Sequence, residues 1–275
     1  MTSLILVGCG KMGGAMLAGW LETGFVDEAI YIVEPNATVI EQFASADGII
    51  IVKTADDIPE GVNPSVVVLA VKPQTMDEAI IPLQRFVRPN TVFLSIAAGK
   101  TIRYFEDKLG QKASIVRAMP NTPASVGRGV TVFVPNSNVS EETTLLCGDL
   151  LSAVGEVISI DDEALLDPVT AVSGSGPAYV FFLIEAMAAA GEKAGLPMDL
   201  AYRLAKTTVA GAGELARQSE DPASQLRINV TSPGGTTAAA LEVLMDKDGI
   251  QPIVDRAIEA ASRRSKELAG SLNIT

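Results

Sequence analysis

Near its N-terminus the chain reads Leu4-Ile5-Leu6-Val7-Gly8-Cys9-Gly10-Lys11-Met12-Gly13, a short apolar run followed directly by a Gly-x-Gly-x-x-Gly turn. The run predicts a buried strand, and the residues after the turn have the spacing of a helix. Glycines in such a turn permit a tight bend and a close approach of the backbone to a pyrophosphate, which the helix N-terminus attracts. The stretch therefore predicts the first strand, turn and helix of a dinucleotide-binding fold.

The first half of the chain continues to alternate strands and helices. Its apolar runs are rich in Val and Ile without strict alternation, which is typical of strands buried on both faces. The predicted strands are Leu4 to Val7, Ile30 to Val33, Ile49 to Val52, Ser65 to Val71, Val92 to Ile96, Ala113 to Arg117 and Val154 to Ile160. The predicted helices are Met12 to Thr23, Ala37 to Ala44 and Met76 to Arg85. Residues 1–160 are thus predicted to form an α/β Rossmann-like domain with a parallel sheet.

Residues 161–275 are predicted to form an all-α domain. The helices expected there are Pro177 to Gly195, Leu200 to Gln218 with a break at Gly211 and Gly213, Thr236 to Met245, and Ile250 to Ala269. The first of them is almost wholly apolar from Ala178 to Ile184, so it must be buried on every side. A dimer core and a self-contained bundle would both achieve this, and the helical pattern leaves the two open.

Composition excludes several classes of function. The 275 residues contain 21 Lys and Arg against 33 Asp and Glu, a formal charge of −12 that repels nucleic acids and anionic membranes. The chain has no histidine, which excludes an imidazole base and a His-ligated metal, and we expect no metal. Cys9 and Cys147 are too few for a disulfide framework and predict reduced thiols in a cytoplasmic protein. The sequence shows no secretory signal and no uninterrupted apolar segment that approaches 18 residues, so we expect no membrane span.

The candidate cofactor contacts begin at the glycine-rich turn, where Gly8, Gly10, Lys11, Met12 and Gly13 would surround the pyrophosphate. Glu34 ends the second strand, at the position where a carboxylate accepts hydrogen bonds from the adenosine ribose. A carboxylate there repels a 2′-phosphate and favours NADH. Asn36 and Thr38 could instead bind a phosphate, so NADPH stays open.

Three further strand ends reach the carboxyl edge of the sheet, where ligands bind in open α/β folds. One carries Ala70-Val71-Lys72-Pro73, in which Pro73 keeps Lys72 extended and Lys72 either contacts the ligand or is a solvated loop residue. The next carries Ala97 among small residues that would let a nicotinamide approach. A third ends in a loop with two prolines that would present Asn121 to the cleft.

Two helix starts in the second half are rich in hydroxyls and glycines. One reads Ser173-Gly174-Ser175-Gly176-Pro177-Ala178-Tyr179, and the other reads Thr231-Ser232-Pro233-Gly234-Gly235-Thr236-Thr237. The second has the composition of an anion nest, for which a carboxylate is the natural guest. Ordinary helix capping is the simpler interpretation of each, but two such starts in one domain favour a binding role for at least one.

Together these motifs resemble those of the pyrroline-5-carboxylate reductase family. The resemblance runs through the Gly-x-Gly-x-Met-Gly turn, Ala70 to Gln74, Ser95 to Gly99, Met119 to Ala124, Ser173 to Tyr179 and Val230 to Thr237. It implies an NAD(P)H-dependent oxidoreductase that transfers hydride to the imine carbon of 1-pyrroline-5-carboxylate and yields L-proline. It also implies a homodimer with interlocked helical domains, and the family also builds rings of dimers.

The resemblance assigns roles in the second half. The substrate carboxylate would rest on Ser232, Gly234, Gly235 and Thr236, and the hydroxyl of Thr237 would meet the ring nitrogen as the catalytic group. Glu220 matches a carboxylate position near the substrate, although a solvated turn residue is an equal alternative, and Asn121 is expected on the substrate side of the cleft. A protonated cyclic imine is already electrophilic, so orientation matters more than a strong base and the missing histidine is no obstacle.

Two other functions remain as alternatives. Reductases of the 3-hydroxyacid or ketopantoate type pair the same two kinds of domain but use a prominent lysine on a helix of the second domain, and none of the lysines there lies in such a motif. A non-catalytic NAD(P)-sensing protein would keep the first domain without turnover. The intact turn from Ser232 to Thr237 argues against it.

Overall fold

The computed structural model describes residues 3–25 and 29–271 and divides into two compact units. Unit 1 comprises residues 1–174 and 261–275, and unit 2 comprises residues 175–260. The predicted division into residues 1–160 and 161–275 remains a prediction. Residues 1–2, 26–28 and 272–275 of the chain lie outside the described ranges.

Unit 1 is built on an eight-stranded sheet. Its strands are β1 (Leu4–Val7), β2 (Ile30–Val33), β3 (Ile49–Val52), β4 (Val66–Leu69), β5 (Val92–Ser95), β6 (Ser114–Met119), β7 (Gly129–Pro135) and β8 (Gly155–Ser159). Their order is β3-β2-β1-β4-β5-β6-β7-β8. The chain therefore starts in the interior of the sheet and reverses its direction of winding between β1 and β4, which is the topological switch of a doubly wound fold.

The helices of unit 1 include several short ones. They are α1 (Lys11–Thr23), α2 (Ala37–Ile40), α3 (Met76–Ile80), α4 (Ile102–Leu109), α5 (Glu141–Ser152) and α6 (Leu166–Val169). Tight 3₁₀ turns extend α2 through Glu41–Phe43 and α3 through Ile81–Phe86, so the predicted longer helices change pitch part-way. Strands β1 and β4 are fully buried, because one apolar core lies on each face of the sheet.

The sheet is parallel except at β7, which departs from the prediction. β7 pairs antiparallel with β6, and β8 then pairs parallel with β7. The connection from β6 to β7 is the short loop 120–128, which is too short for a crossover helix and thus returns the chain in the opposite direction. β7, α4 and α5 are not among the predicted elements.

Unit 2 is all-helical, as predicted. It contains α7 (Gly176–Lys193), α8 (Met198–Gln218), α9 (Ala223–Asn229), α10 (Thr236–Leu244) and the first half of α11 (Ile250–Ser271). The predicted break in α8 is wrong, because the helix runs through Gly211 and Gly213 without interruption. α9 was not predicted.

Helix α7 leaves its apolar side chains on the surface of the chain. None of its residues is buried, and Phe181 and Phe182 are 59% and 68% exposed. The longer helical stretch Glu163–Lys193 is apolar enough by length and composition to cross a membrane, with a mean hydropathy of 1.3 over its best window. A self-contained bundle would bury α7. Since α7 stays exposed in the single chain, its apolar side chains are not covered by the rest of that chain.

Candidate functional site

A cleft of about 550 Å³ opens at the carboxyl edge of the sheet in unit 1. It lies over the ends of β1, β2, β3 and β4, at the point where the strand order reverses. The residues that line it are Val7, Gly8, Gly10, Val33, Glu34, Pro35, Lys53, Thr54, Ala55, Ala70, Val71, Lys72, Thr75, Glu78, Ala79 and Pro82. This is the place where doubly wound sheets bind their ligands.

The glycine-rich turn forms the floor of the cleft. At each of its three glycine positions a side chain would be disfavoured for a different reason. Gly8 has φ of +91°, and a Cβ there would lie 2.9 Å from Cγ1 of Val71. A Cβ on Gly13 would collide with the carbonyl oxygen of Gly8. A Cβ on Gly10 would meet nothing within 4 Å, so the space beside Gly10 is open to a ligand. The turn thus fits a dinucleotide pyrophosphate at the start of α1.

Glu34 joins the turn to the end of β2. Its Oε2 accepts a 2.9 Å hydrogen bond from the backbone N–H of Cys9, and its Oε1 accepts a 3.0 Å bond from the N–H of Asn36. Each carboxylate oxygen can accept more than one hydrogen bond, so the half-buried Glu34 still has capacity for ribose hydroxyls. Burial and the charge of Glu34 raise the pKa of the Cys9 thiol to about 11, which leaves that thiol protonated at neutral pH.

The other predicted cofactor residues divide between the cleft and its surroundings. Ala70, Val71 and Lys72 line the cleft. Lys11 lies at the first helical position of α1 and lines a neighbouring cavity instead, while Met12 packs against the core. The side chain of Asn36 caps α2 and accepts hydrogen bonds from the N–H and hydroxyl of Thr38, at 3.1 and 2.7 Å. Neither Pro73 nor the buried Ala97 is among the lining residues.

One wall of the cleft is formed by residues on and around α3, which a charged cluster fixes in place. Asp77 accepts hydrogen bonds from Tyr104 at 3.0 Å and pairs with Lys108 at 2.8 Å and with the fully buried Lys100 at 3.4 Å. The ammonium of Lys100 also lies 3.9 Å from the centroid of the Tyr104 ring. Lys108, then Tyr104 and Lys100, hold the pKa of Asp77 at about 2. The cluster therefore ties α3 to α4 through charge as well as packing.

Asn121 is engaged at both ends of its amide. Its Nδ2 donates to the carbonyl of Ser173 at 3.2 Å, and its Oδ1 accepts from the N–H of Val130 at 2.9 Å. Ser173 belongs to a π-helical turn, Thr170–Gly174, and such turns occur frequently at functional sites. Asn121 thus positions the loop after β6 against this turn, and its predicted contact with substrate stays a prediction.

In unit 2 the predicted carboxylate nest forms the start of α10. Gly234 has φ of +68°, a conformation that favours glycine, and the N–H of Gly235 donates to the carbonyl of Ser232 at 3.0 Å. Gly235 is the N-cap of α10 and has no side chain to satisfy the first N–H groups of the helix. Within residues 29–271 the hydroxyls of Ser232, Thr236 and Thr237 have no protein hydrogen-bond partner, so donors gather at one helix start.

Glu220 lies in the exposed turn between α8 and α9. No hydrogen bond joins its carboxylate to the nest in the part of unit 2 that the structure describes. The structure therefore brings Ser232, Gly234, Gly235, Thr236 and Thr237 together, and leaves the role of Glu220 a prediction. In the described residues no group of three or more Cys, Asp or Glu is arranged to hold a metal ion.

The combination of cleft and glycine-rich turn is typical of a dinucleotide-binding protein, and two family models match the chain. The model for coenzyme F420-dependent NADP oxidoreductases covers residues 3–99, and the model for pyrroline-5-carboxylate reductase dimerisation covers residues 163–268. The apolar stretch from Glu163 falls within the latter, so its exposed surface is a feature of a dimerisation domain.

Relatives and solved structures agree with the match to the pyrroline-5-carboxylate reductase model. The chain is 41% identical to pyrroline-5-carboxylate reductase of Pseudomonas aeruginosa over 98% of its own length and 97% of that protein. The solved structure of the Coxiella burnetii enzyme superimposes with a TM-score of 0.90 at 34% identity and covers 98% of each chain. The Plasmodium falciparum enzyme, solved with NADP bound, gives a TM-score of 0.80 at 29% identity and covers 98% of each chain.

The chain belongs to the pyrroline-5-carboxylate reductase family. It is therefore an NAD(P)H-dependent oxidoreductase, and the family resemblance stated from the sequence is confirmed, as is the expected fold of a Rossmann-like domain with an all-α dimerisation domain. This membership favours the reductase over the two alternatives, a 3-hydroxyacid or ketopantoate reductase and a non-catalytic sensor.

Sequence reasoning missed part of the cleft. Lys53 and Thr54 follow β3, and Thr75, Glu78, Ala79 and Pro82 form the wall around α3. Lys53 carried a usable signal, since it stands immediately after a predicted strand, as Glu34 and Lys72 do. The residues of the wall around α3 carried no sequence signal, because their position beside the cleft depends on how α3 packs.

Proposed function

We propose that the cleft of unit 1 holds NAD(P)H and that the start of α10 in unit 2 holds the carboxylate of 1-pyrroline-5-carboxylate, which the protein reduces to L-proline. The observation that supports cofactor binding most directly is the open space beside Gly10, in a cleft that also contains the carboxylate of Glu34. Bound NAD(P)H supplies the hydride. The residues of the chain bind the cofactor and the substrate, orient the imine and hold or donate the proton at the ring nitrogen.

The nest is proposed to orient the substrate. Its amides and the hydroxyls of Ser232 and Thr236 offer donors to a carboxylate at the positive end of the α10 dipole. Thr237, one residue further along α10 and half-buried, is proposed to place its hydroxyl against the ring nitrogen and to hold or donate the proton there. Glu220 and Asn121 are proposed as supporting residues of the substrate region. Such orientation lowers the barrier without a strong base.

NADH is proposed as the preferred cofactor. Glu34 is a carboxylate at the ribose end of the cleft, and a 2′-phosphate would have to approach its negative charge. Asn36 and Thr38, the residues that could bind a phosphate nearby, are already hydrogen-bonded to each other. Gly8, Gly10, Lys11, Met12 and Gly13 are proposed around the pyrophosphate, and Ala70, Val71, Lys72, Pro73 and Ala97 around the rest of the cofactor.

We further propose that two chains pair through their helical domains, with rings of dimers as the larger assembly. The exposed apolar surface of α7 supports the pairing, because it lies in the region that matches the dimerisation family model. We place the enzyme in the cytoplasm, in keeping with free, buried thiols at Cys9 and Cys147.

The proposed activity is tested by following the absorbance of NADH and of NADPH in parallel with 1-pyrroline-5-carboxylate as substrate. We expect oxidation that depends on the imine and is faster with NADH, and no oxidation with a 2-keto acid control. Equally fast oxidation with the 2-keto acid would contradict the proposal that 1-pyrroline-5-carboxylate is the substrate. Faster oxidation of NADPH than of NADH would contradict the proposed preference for NADH.

A further inference from the structure

Lys53 stands beside Glu34 at the same edge of the sheet. Val33 and Val52 are paired in the β2–β3 register, and each is followed directly by one of these two residues. The N–H of Glu34 also donates to the carbonyl of Val52 at 3.0 Å. Both residues line the cleft, so the ribose end of the cleft contains one carboxylate and one ammonium group.

The ammonium of Lys53 is exposed and not engaged in an ion pair within the ranges that the structure describes. Hydrogen bonds from the N–H and hydroxyl of Thr54 lower the pKa of the nearby Asp57 carboxyl most, and the charge of Lys53 adds a smaller contribution. The oxygens of Asp57 are directed mainly at Thr54, which donates from its N–H and its hydroxyl, both at 2.9 Å. The Glu34 carboxylate is likewise held by backbone N–H groups. The charge of Lys53 is therefore available to a ligand.

Strand order separates Lys53 from the other lysine of the cleft. Lys72 follows β4, which lies on the far side of β1 from β2, whereas Lys53 follows β3, the direct neighbour of β2. With strands about 4.8 Å apart, Lys72 starts roughly two strand spacings from Glu34 and Lys53 starts one. A group attached to the ribose that Glu34 binds thus lies closer to Lys53.

We propose that Lys53 is a specificity-determining residue that binds the 2′-phosphate of NADPH, so that the enzyme accepts NADPH despite Glu34. This inference rests on the proposed function of the cleft. Glu34 disfavours a 2′-phosphate by charge repulsion, and Lys53 partly offsets that repulsion with a charge-assisted hydrogen bond. Cofactor choice is then set by two residues on neighbouring strands.

The test uses ligands that report binding without turnover. Isothermal titration calorimetry would measure adenosine 2′,5′-bisphosphate, which carries the 2′-phosphate, and 5′-AMP, which lacks it, on the full chain and on K53M, K53R and K112M. Lys112 is an exposed lysine of unit 1 outside the cleft, so K112M is the matched loss of one charge. We expect K53M to weaken the bisphosphate about tenfold and 5′-AMP less than twofold, because a charged hydrogen bond is lost in only one complex.

K53R should keep most of the affinity for the bisphosphate and K112M all of it. Equal weakening of both ligands in K53M would overturn the proposal, since Lys53 would then act on the nucleotide as a whole, and so would unchanged affinity for both. A parallel assay should show that K53M loses kcat/KM for NADPH about tenfold and for NADH less than twofold. If the imine is not reduced at all, the proposed function fails while the calorimetry still decides the role of Lys53.

Discussion

The backbone nitrogen of Cys9 lies 2.9 Å from Oε2 of Glu34, so a carboxylate that lines the cleft also fixes the glycine-rich turn. The same carboxylate holds the N–H of Asn36 through its other oxygen. Glu34 therefore holds both turns through its two carboxylate oxygens, and the cofactor contact proposed for it uses the same group.

Replacement of Glu34 by Ala should lower kcat/KM for NADH more than for NADPH, because ribose hydrogen bonds are lost while repulsion of the 2′-phosphate is relieved. It should also lower the free energy of unfolding by about 1 kcal/mol or more, since two N–H groups lose their acceptor. Steady-state kinetics with both cofactors and urea unfolding check the two effects. E34Q is the control that keeps an acceptor oxygen. An equal loss with both cofactors would assign Glu34 to the fold alone.

Thr237→Ala should reduce kcat at least tenfold and leave the Kd of NADH within twofold, because the lost hydroxyl would act at the reacting nitrogen and not on the cofactor. Thr237→Ser keeps a hydroxyl and should recover most of the rate. Stopped-flow turnover and cofactor fluorescence titration measure the two quantities. Unaltered kinetics in Thr237→Ala would remove the proposed catalytic role.

Gly10→Ala and Gly13→Ala should fail for different reasons. A Cβ on Gly10 enters open space, so the variant should fold normally and bind NADH at least tenfold more weakly. A Cβ on Gly13 collides with the Gly8 carbonyl, so that variant should lose about 1–3 kcal/mol of unfolding free energy. Gly61→Ala, at an exposed turn with open space around it, is the matched control. Normal NADH binding by Gly10→Ala would contradict the pyrophosphate position.

The Asp77 cluster predicts a pH dependence of stability. Because its pKa falls from 3.8 to about 2 in the native state, the contribution is complete above about pH 4 and is lost as the pH falls through 2. Asp77 is half exposed, so solvent screening limits the contribution to about 1 kcal/mol. The difference in unfolding free energy between the wild type and D77N, measured from pH 7 down to pH 2.5, should shrink over this window. A constant difference would show that the charge of Asp77 is not the stabilising feature.

Phe182→Glu should convert the dimer to a monomer, because the substitution places a charge on the exposed apolar face of α7. Sedimentation velocity measures the assembly. Leu145→Glu is the matched control, since Leu145 is 65% exposed on α5 in unit 1. A Phe182→Glu protein that remains dimeric would place the pairing surface elsewhere.

The bounds of β1, β2 and β3 follow from the sequence because their Val- and Ile-rich runs are short, buried and closed by turn residues. The run Val130 to Val134 is equally β-branched, yet it follows a loop with two prolines and pairs in the opposite direction, which local pattern does not reveal. Helix α8 passes through Gly211 and Gly213 at a cost of about 1 kcal/mol each relative to Ala. The two glycines predict a break there. The helix nevertheless continues through exposed positions, because the Ala, Leu, Glu, Arg and Gln residues around the glycines are strong helix formers.

At the site, the motifs located the glycine-rich turn, Glu34 and the start of α10, because each combines a residue type with a strand end or a helix start. They did not indicate that the side-chain amide of Asn121 would hydrogen-bond to the backbone of Ser173 and Val130, or that Asn36 would cap α2. These hydrogen bonds depend on which backbone groups the fold leaves without partners, and the sequence alone does not predict those groups.

The double attachment of Glu34 also constrains how this lineage can change its cofactor. A mutation at Glu34 made to admit a phosphate would also remove the acceptor that fixes the glycine-rich turn, where we propose that the pyrophosphate binds. Its benefit would therefore depend on compensating changes elsewhere. The exposed Lys53 ammonium forms no ion pair among the described residues and adds only a minor contribution to the electrostatics of Asp57, so Lys53 is freer to vary than Glu34. Drift between NADH and NADPH is therefore expected to proceed through the end of β3, with Glu34 held fixed by epistasis.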